Sequence, residues 1–143
     1  MTDVFSKRKR SEVMARIRGR NNRSTELLLA GLLRRAGLNG WRRHLPLPGR
    51  PDFAFVARRL AVFCDGCYWH GHKSCYKQPS TNVLYWRNKI AVNRRRDRRV
   101  TRLLRDTGWR VLRIWECTLN HNPVRSVQRI TRAWYRRVRM QVQ

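Results

Sequence analysis

The feature that most constrains this chain is a short stretch that begins at Cys64 and ends at Cys75. It contains three of the four cysteines, two of the four histidines and one of the eight carboxylates. Thiolate and imidazole groups at this spacing are typical of zinc sites, because Zn²⁺ takes soft and borderline ligands in a tetrahedron. Cys67, His72 and Cys75 supply three ligands, and Cys117 is the obvious fourth. The stretch therefore predicts a closed structural zinc site, with four unrelated free thiols as the alternative.

The same stretch carries groups that a structural zinc site does not need. His70 is left without a ligand role, and histidine exchanges protons near neutral pH, so it could activate water. A satisfied structural histidine is the alternative. Tyr68 and Trp69 form an aromatic pair that either stacks on nucleic-acid bases or packs into the core. Cys64 is interpreted as a small buried residue of a strand and not as a ligand.

The composition points to a polyanion partner. Thirty-four Lys and Arg residues against eight Asp and Glu give a net charge of +26, while 41% hydrophobic residues argue against disorder. Nucleic acid is the first partner that such charge indicates, with a ribosomal-type or chromatin-packing protein as the non-enzymatic alternative. The start of the chain resembles no secretory signal, and a Cys/His cluster without one favours metal binding in a reducing cytoplasm.

The chain is interpreted as a single domain over residues 1–143, with residues 1–20 as a basic N-terminal helix or arm that contacts DNA. Arginine and lysine dominate residues 6–19 around a narrow stripe formed by Val13, Met14 and Ile17. A basic amphipathic helix and an arm that orders on binding both fit this pattern, as does a simply solvated charged helix.

Apolar periodicity and breaker residues predict an α/β fold for the remainder. Ser24 is expected to cap the first helix, Asn82 or Thr81 the longest helix, and Asn122 with Pro123 the last. The predicted elements are a helix over 25–36, strands over 41–45, 52–57 and 60–64, a helix over 83–107, a strand over 109–115 and a helix over 123–138.

Two carboxylates are predicted to converge at the open end of a hairpin. If Arg58 and Arg59 form a two-residue loop, Asp52 faces Asp65 directly, with Cβ atoms about 5 Å apart. Such a pair costs free energy unless a cation or a proton bridges it, and Mg²⁺ is the usual cation in phosphate chemistry. The prediction depends on register, because a slip of one residue separates the two side chains.

Two polar residues, Asn93 and Asp97, interrupt the apolar face of the longest helix. Polar groups on a buried face need partners. They either pair with arginine or support the Asp52/Asp65 site from behind. Glu26, the one acid of the first helix, is already explained by the helix dipole.

Four groups of residues, in order along the chain, carry a resemblance to a known family. They are Pro48-Gly49-Arg50-Pro51-Asp52-Phe53, Asp65-Gly66-Cys67-Tyr68-Trp69-His70, Trp86 with Asn93 and Asp97, and Gly108-Trp109-Arg110-Val111-Leu112 through Trp115-Glu116-Cys117. From about Met14 to Cys117 the chain resembles the very-short-patch mismatch repair endonucleases. The resemblance implies a restriction-endonuclease-like mixed central sheet flanked by helices, with one structural zinc site. It also implies Mg²⁺-dependent nicking of one strand beside T in a T·G mismatch left by deamination of 5-methylcytosine.

The resemblance also implies roles for single residues. Asp52 matches the family's metal-binding aspartate, His70 its catalytic histidine and Glu26 the acid of its second helix. Cys67, His72, Cys75 and Cys117 match its zinc ligands. The aromatic residues that enter the major groove match Tyr68, Trp69 and Trp86, and the residue that enters from the minor groove matches Met14. Position 65 varies in the family between Asp and His.

The resulting hypothesis assigns Mg²⁺ to Asp52 and Asp65, or to a main-chain carbonyl near Cys64, with Glu26 acting through water. His70 accepts a proton from the attacking water, Asn93 and Asp97 orient the site, and Arg50 contacts phosphate. The partner is double-stranded DNA with a T·G mismatch, bound by a monomer at the bacterial nucleoid, alongside other mismatch-repair proteins. The alternatives are a restriction-type or homing-type endonuclease that cuts matched DNA, and a non-enzymatic zinc-stabilised DNA-binding protein.

Overall fold

The computed structural model describes residues 23–67, 69–75 and 77–136, together with Arg8. The predictions for Met14, for Tyr68 and for the basic segment 6–19 apart from Arg8 lie outside the described residues. The described elements are, in order, a helical turn Arg23–Leu27, α1 Leu28–Arg35, β1 Trp41–Arg42, β2 Phe53–Phe55, a 3-10 turn Val56–Arg58, β3 Leu60–Asp65, α2 Val83–Asp106, β4 Arg110–Trp115, α3 Glu116–His121 and α4 Pro123–Tyr135. This order confirms the α/β class.

The strands form one mixed sheet in the order β1-β2-β3-β4. β1 and β3 each pair antiparallel with β2, and β4 pairs parallel with β3. A parallel pair needs a crossover connection, and α2 occupies the crossover between β3 and β4. The mixed sheet flanked by helices, predicted from the resemblance, is therefore confirmed.

The register of the β2–β3 hairpin differs from the prediction. Phe55 pairs with Leu60 and Phe53 with Val62, so the connection is a four-residue loop over 56–59. The 3-10 turn Val56–Arg58 and the left-handed conformation of Arg59, with φ of 46°, use two more residues than the predicted turn. Continuing the register, Asp52 lies opposite Phe63, and the predicted direct pairing of Asp52 with Asp65 is wrong.

Each face of the sheet has its own core, because successive strand residues point to opposite faces. Leu60 and Val62 of β3 pack with residues of α1, α3 and α4, among them Leu29, Leu33, Leu119 and Ile130. Ala61 and Phe63 of the same strand pack with Val100 and Leu104 of α2. Asp65 is two residues after Phe63 in β3, and Arg113 of β4 pairs with Phe63, so both side chains lie on the α2 face of the sheet.

Several element boundaries differ from their predictions. β1 and β2 are shorter than predicted, with two and three residues. The last helix ends at Tyr135, with Arg136 in an extended conformation, and not at residue 138. The six-residue α3 was not predicted at all, because its only strong pattern is the acid at its first position.

The capping predictions were partly right. Asn122 caps α4 by accepting a hydrogen bond from the backbone N–H of Arg125 at 3.1 Å, with Pro123 at the first position. Asn82 occupies the position before α2, as predicted, but it adopts a left-handed conformation and its side chain forms no cap hydrogen bond. α1 continues directly from the helical turn Arg23–Leu27. The residue before α1 is therefore Leu27 and not the predicted Ser24, and no side chain caps α1 there. Each helix of the described chain is too short or too polar to traverse a bilayer.

Candidate active site and metal centre

A histidine and three charged residues form one network at the edge of the sheet that faces α2. Nδ1 of His70 lies 2.5 Å from Oδ2 of Asp97, a residue in the middle of α2. Nε2 of the same ring lies 3.9 Å from Oδ1 of Asp65, the last residue of β3. Nη1 of Arg113 donates to both carboxylate oxygens of Asp65, at 2.9 and 3.1 Å. The structure thus brings together three of the predicted site residues and adds Arg113.

Arg113 holds this network to the sheet and to α2. Its guanidinium lies over the ring of Phe63, 4.4 Å from the ring centroid, and Nη2 donates to the main-chain oxygen of Asp97 at 3.4 Å. Burial raises the pKa of Asp65, while His70 and Arg113 act in the opposite direction. For Asp97 burial also acts to raise the pKa, but the hydrogen bond with His70 and the positive charges nearby outweigh it, and the pKa is lowered.

The loop that carries His70 is held against α2. The side-chain amide of Asn93 donates to the main-chain oxygen of Trp69 at 2.9 Å. Arg94 donates to the main-chain oxygens of His70, at 3.3 Å, and of Gly71. Gly71 adopts a φ of +58°, and a Cβ atom there would lie 2.5 Å from Ile90 of α2. The approach of this loop to α2 therefore requires glycine, and Asn93 fixes the backbone beside His70.

Asp52 belongs to a second, more acidic group. Oδ2 of Asp52 accepts a hydrogen bond from the backbone N–H of Cys64 at 2.7 Å. Ligand atoms of Glu26, His44 and Asp52 lie within 4.8 Å of one another. Nε2 of His44 lies 3.3 Å from Oε2 of Glu26, which also accepts a hydrogen bond from Arg43. Glu26 therefore lies beside Asp52 and His44. The sequence alone had explained this acid by the helix dipole.

The environment of Asp52 favours a bound cation or a proton. Burial, together with the negative charges of Glu26 and Asp65, raises the pKa of Asp52 to about 7 against the lowering effect of the Cys64 N–H. A divalent cation beside such a group of carboxylates removes their mutual repulsion. The carboxylates of Asp52 and Glu26 therefore fit a hard cation that takes oxygen ligands.

Cys67, His72, Cys75 and Cys117 converge as predicted. Their ligand atoms lie within 4.8 Å of one another, with Nδ1 of His72 3.3 Å from Sγ of Cys117 and 3.6 Å from Sγ of Cys67. Burial and the neighbouring thiol of Cys117 raise the pKa of Cys67 to about 12. The Cys67 thiol therefore resists ionisation, whereas a coordinated metal deprotonates such a thiol outright. The Cys₃His group could therefore hold a metal ion.

The Cys₃His group and the His70 network meet at the end of β4. The ring of His72 stacks on Trp115, with centroids 4.1 Å apart and planes at 12°, and His70 meets the same indole edge-on at 6.4 Å. Trp115 ends β4, and Cys117 follows two residues later. Cys64 lies outside the thiol group and packs against the core as a half-buried residue, where it was interpreted as a buried one.

Trp69 and Trp86, two of the residues that the resemblance assigns to the major groove, contact each other. The rings of Trp69 and Trp86 have centroids 5.7 Å apart, and Trp86 has an exposed fraction of 7%. Tyr85, which was not predicted as a site residue, meets Trp86 edge-on at 5.3 Å and is 58% exposed. Arg50 is exposed, in a left-handed conformation with φ of 47°.

Sequence reasoning missed Arg113, His44 and Arg94. Arg113 had a signal, because it is a charged residue between Leu112 and Ile114 in a strand interpreted as continuously apolar. A buried charge in such a strand needs a carboxylate partner. His44 and Arg94 had no comparable signal, since each lies in a segment rich in arginine.

Buried carboxylates and a histidine–carboxylate pair at the end of a mixed sheet, on a strongly basic chain, are typical of enzymes that cleave DNA. A family model described as DNA mismatch endonuclease Vsr matches residues 2–77. The DNA mismatch endonuclease Vsr of Escherichia coli (strain K12) is 44% identical over 121 residues, which cover 83% of this chain and 76% of that protein.

Two further relatives are described as nicking enzymes. The Type II nicking enzyme V.XorIIP of Xanthomonas oryzae pv. oryzae is 40% identical over 121 residues, covering 84% of this chain and 88% of the relative. The Type II nicking enzyme V.NmeAIP of Neisseria meningitidis is 33% identical over 126 residues, covering 87% of this chain and 89% of the relative. The chain belongs to the Vsr family of DNA mismatch endonucleases. It is therefore an endonuclease that acts on phosphodiester bonds of DNA, and the predicted family is confirmed.

Proposed function

We propose that the chain nicks one strand of duplex DNA beside the thymine of a T·G mismatch, in a reaction that requires Mg²⁺, and so starts the repair of deaminated 5-methylcytosine. One observation carries this proposal: the acidic group around Asp52 and the His70–Asp97 pair lie on the same short segment of sheet edge. Oδ2 of Asp52 binds the backbone of Cys64, the residue before Asp65, and Asp65 lies 3.9 Å from His70.

Asp52 would hold the divalent cation together with the main-chain carbonyl of Cys64, with Glu26 contributing through water. Bound there, Mg²⁺ would stabilise charge on the phosphate oxygens and on the leaving group. Glu26 remains beside Asp52 because Arg43 and His44 contact its carboxylate. Asp65 was expected to be a second metal ligand, but both of its oxygens are bound by Arg113. We therefore assign Asp65 to supporting His70 and Arg113.

His70 would accept a proton from the attacking water. The carboxylate of Asp97 beside Nδ1 favours the tautomer with the proton on Nδ1, which leaves the lone pair of Nε2 available. Asn93 positions the main chain of the preceding residue, Trp69. These contacts give the imidazole a defined direction before the substrate binds, which is a requirement of general base catalysis.

The zinc assignment follows from the donor set. Cys67, His72, Cys75 and Cys117 would hold Zn²⁺ in a closed tetrahedral site with no position left for water. Such a site would connect the loop that carries His70 with the residues after β4. It would thereby fix the positions of Trp69 and His70 relative to Asp52.

Mismatch recognition is proposed to depend on the aromatic residues. Trp69 and Trp86, with Tyr68, would enter the stack from the major groove, and Met14 from the minor groove, while Arg50 contacts phosphate. Unstacking is least costly where pairing is already weak, as at a T·G mismatch. Residues 1–143 would form one domain that acts as a monomer with other mismatch-repair proteins.

A nicking assay on a panel of duplexes tests the specificity. Duplexes that differ only at one pair, T·G, C·G, T·A or A·C, carry a different label on each strand. We expect one nick, in the strand with the mismatched thymine, and only when Mg²⁺ is present. Equal cleavage of the matched duplexes, or cleavage of both strands, would favour a restriction-type enzyme and refute the proposal.

A further inference from the structure

A groove of about 930 Å³ opens beside His70 and runs along α2. Asp65, His70, Asp97 and Arg113 line the end that belongs to the site described above, and Arg98 and Arg102 are among the residues that line the continuation. We name this cavity the α2 groove. The cavity thus extends from His70 along a wall of α2 that carries these arginines.

The arginines of the α2 groove are regularly spaced. Arg98, Arg102 and Arg105 follow one another by four and three residues, so their side chains share one face of the helix. Four residues of an α-helix advance about 6 Å along its axis. This advance is comparable with the separation of neighbouring phosphates along one nucleic-acid strand.

These side chains carry no ion pair within the described part of the chain. Arg98, Arg102 and Arg105 are exposed, and none of them contacts a carboxylate in residues 23–67, 69–75 and 77–136. The two acids at the catalytic end are already engaged, Asp65 by Arg113 and Asp97 by His70. The positive charge on this wall of the α2 groove is therefore available to an external anion.

The same helix offers a matched comparison. Arg95 and Arg99 are also four residues apart and exposed, and neither lines the α2 groove. They also make no ion pair with a carboxylate of the described residues. The two pairs thus differ in whether they line the α2 groove, and not in charge, spacing or exposure.

We propose that the α2 groove binds the backbone of the strand that carries the mismatched thymine, with Arg98 and Arg102 contacting consecutive phosphates next to the scissile one. Arg105 extends the same wall but lies beside the exposed Asp106 at the helix end, so its contribution is smaller. This inference rests on the proposed nicking of that strand. Beyond that proposal, the thymine strand would run along the α2 groove as it leaves the catalytic residues.

The test compares the full chain with two double variants, Arg98→Gln/Arg102→Gln for the groove and Arg95→Gln/Arg99→Gln as the control. Binding to a T·G duplex is measured without divalent cation over a range of salt concentrations. Each lost phosphate contact lowers the slope of log K against log salt by about 0.9, so the groove variant should lose about 2. We expect a smaller change in the control variant, and retention of the slope in Arg98→Lys/Arg102→Lys.

Neutral methylphosphonates then identify the strand. Placed one at a time next to the scissile position on the thymine strand, they should weaken binding of the unmodified chain by about tenfold at the contacted phosphates. The same substitutions should have no further effect on the groove variant. Equal loss in the groove and control variants, or sensitive phosphates confined to the guanine strand, would overturn the proposal.

The binding measurements do not depend on cleavage. If the chain binds along the α2 groove as described but nicks matched DNA equally well, the proposed specificity fails while the phosphate path stands. If it nicks T·G duplexes selectively and the two variants behave alike, the path fails and the proposed function stands.

Discussion

Nδ1 of His70 lies 2.5 Å from Oδ2 of Asp97, so a residue in the middle of α2 orients a ring that the loop after β3 supplies. The contact joins two residues that are 27 positions apart in the sequence. It explains why a polar residue interrupts the otherwise apolar buried face of a long helix.

Replacing Asp97 by Asn should lower the rate of nicking without loss of DNA binding. The amide cannot stabilise the same tautomer and charge of His70, and losses of this kind are about 10–100-fold. Single-turnover rates and duplex affinity give the two quantities. His70→Ala should cost more, about 10²–10⁴-fold. A rate for Asp97→Asn equal to that of the unmodified chain would contradict the orienting role.

The dependence on Mg²⁺ should vary with pH because of Asp52. Its pKa is raised to about 7, so below that pH a proton has to leave before a cation binds, and above it the carboxylate is already ionised. The concentration of Mg²⁺ that half-saturates nicking should therefore rise about tenfold per pH unit below 7 and level off above it. Asp106→Asn, at an exposed acid, should leave this profile unchanged. A half-saturating concentration that does not vary between pH 5.5 and 7.5 would be inconsistent with Asp52 as the ligand.

The stability of the chain without bound Mg²⁺ should respond to the same group. A carboxyl with a raised folded-state pKa stabilises the fold below its unfolded value near 4, and this contribution is lost as pH rises through about 7. Thermal unfolding at pH 5 and pH 8, with zinc retained and no Mg²⁺ added, should therefore show a fall in melting temperature that is absent in Asp52→Asn. A fall of the same size in that variant would assign the effect to other groups.

Removal of the proposed zinc should cost fold and activity together. The ligands Cys67, His72, Cys75 and Cys117 connect the loop after β3 with the start of α3, so metal binding contributes directly to folding. Cys117→Ala should lose bound zinc, lower the melting temperature and abolish nicking. Cys64→Ala is the matched control, because this thiol packs against the core and should leave the zinc content unchanged. A folded and active Cys117→Ala protein without zinc would refute the structural role.

Arg113→Met should leave Asp65 buried without its hydrogen-bonding cation. Losing hydrogen bonds to a charged group destabilises by about 1–3 kcal/mol. The free energy of unfolding in urea measures this loss, and Arg99→Met, at an exposed residue, is the control. In the double variant Asp65→Asn/Arg113→Met the loss should be smaller than the sum of the two single losses, because each single change removes the same pair. Additive losses would show that the pair is not coupled.

The local ligand chemistry of this chain could be predicted from its sequence. Cys67, His72 and Cys75 lie within nine residues, so few conformations of the loop keep them apart, and Cys117 follows a strongly apolar strand. The position of the longest helix could also be predicted. Trp86, Ile90, Val100 and Leu104 recur at helical spacing, and only a helix places all four on one buried face.

Relations across strands were less predictable. The direct pairing of Asp52 with Asp65 failed because a 3-10 turn and a left-handed Arg59 lengthened the hairpin loop by two residues. Arg59 is not a residue whose type indicates a positive φ, so the sequence held no sign of it. The role of Asp65 changed as a result, from a partner of Asp52 to the partner of Arg113.

The most direct test of the central assignment is single-turnover nicking of a T·G duplex by Asp52→Asn with saturating Mg²⁺. The unmodified chain should nick the thymine strand, and Asp52→Asn should bind the duplex with the same affinity and zinc content but leave it intact. Nicking by Asp52→Asn at the rate of the unmodified chain would show that the carboxylate at the end of the hairpin does not hold the catalytic metal.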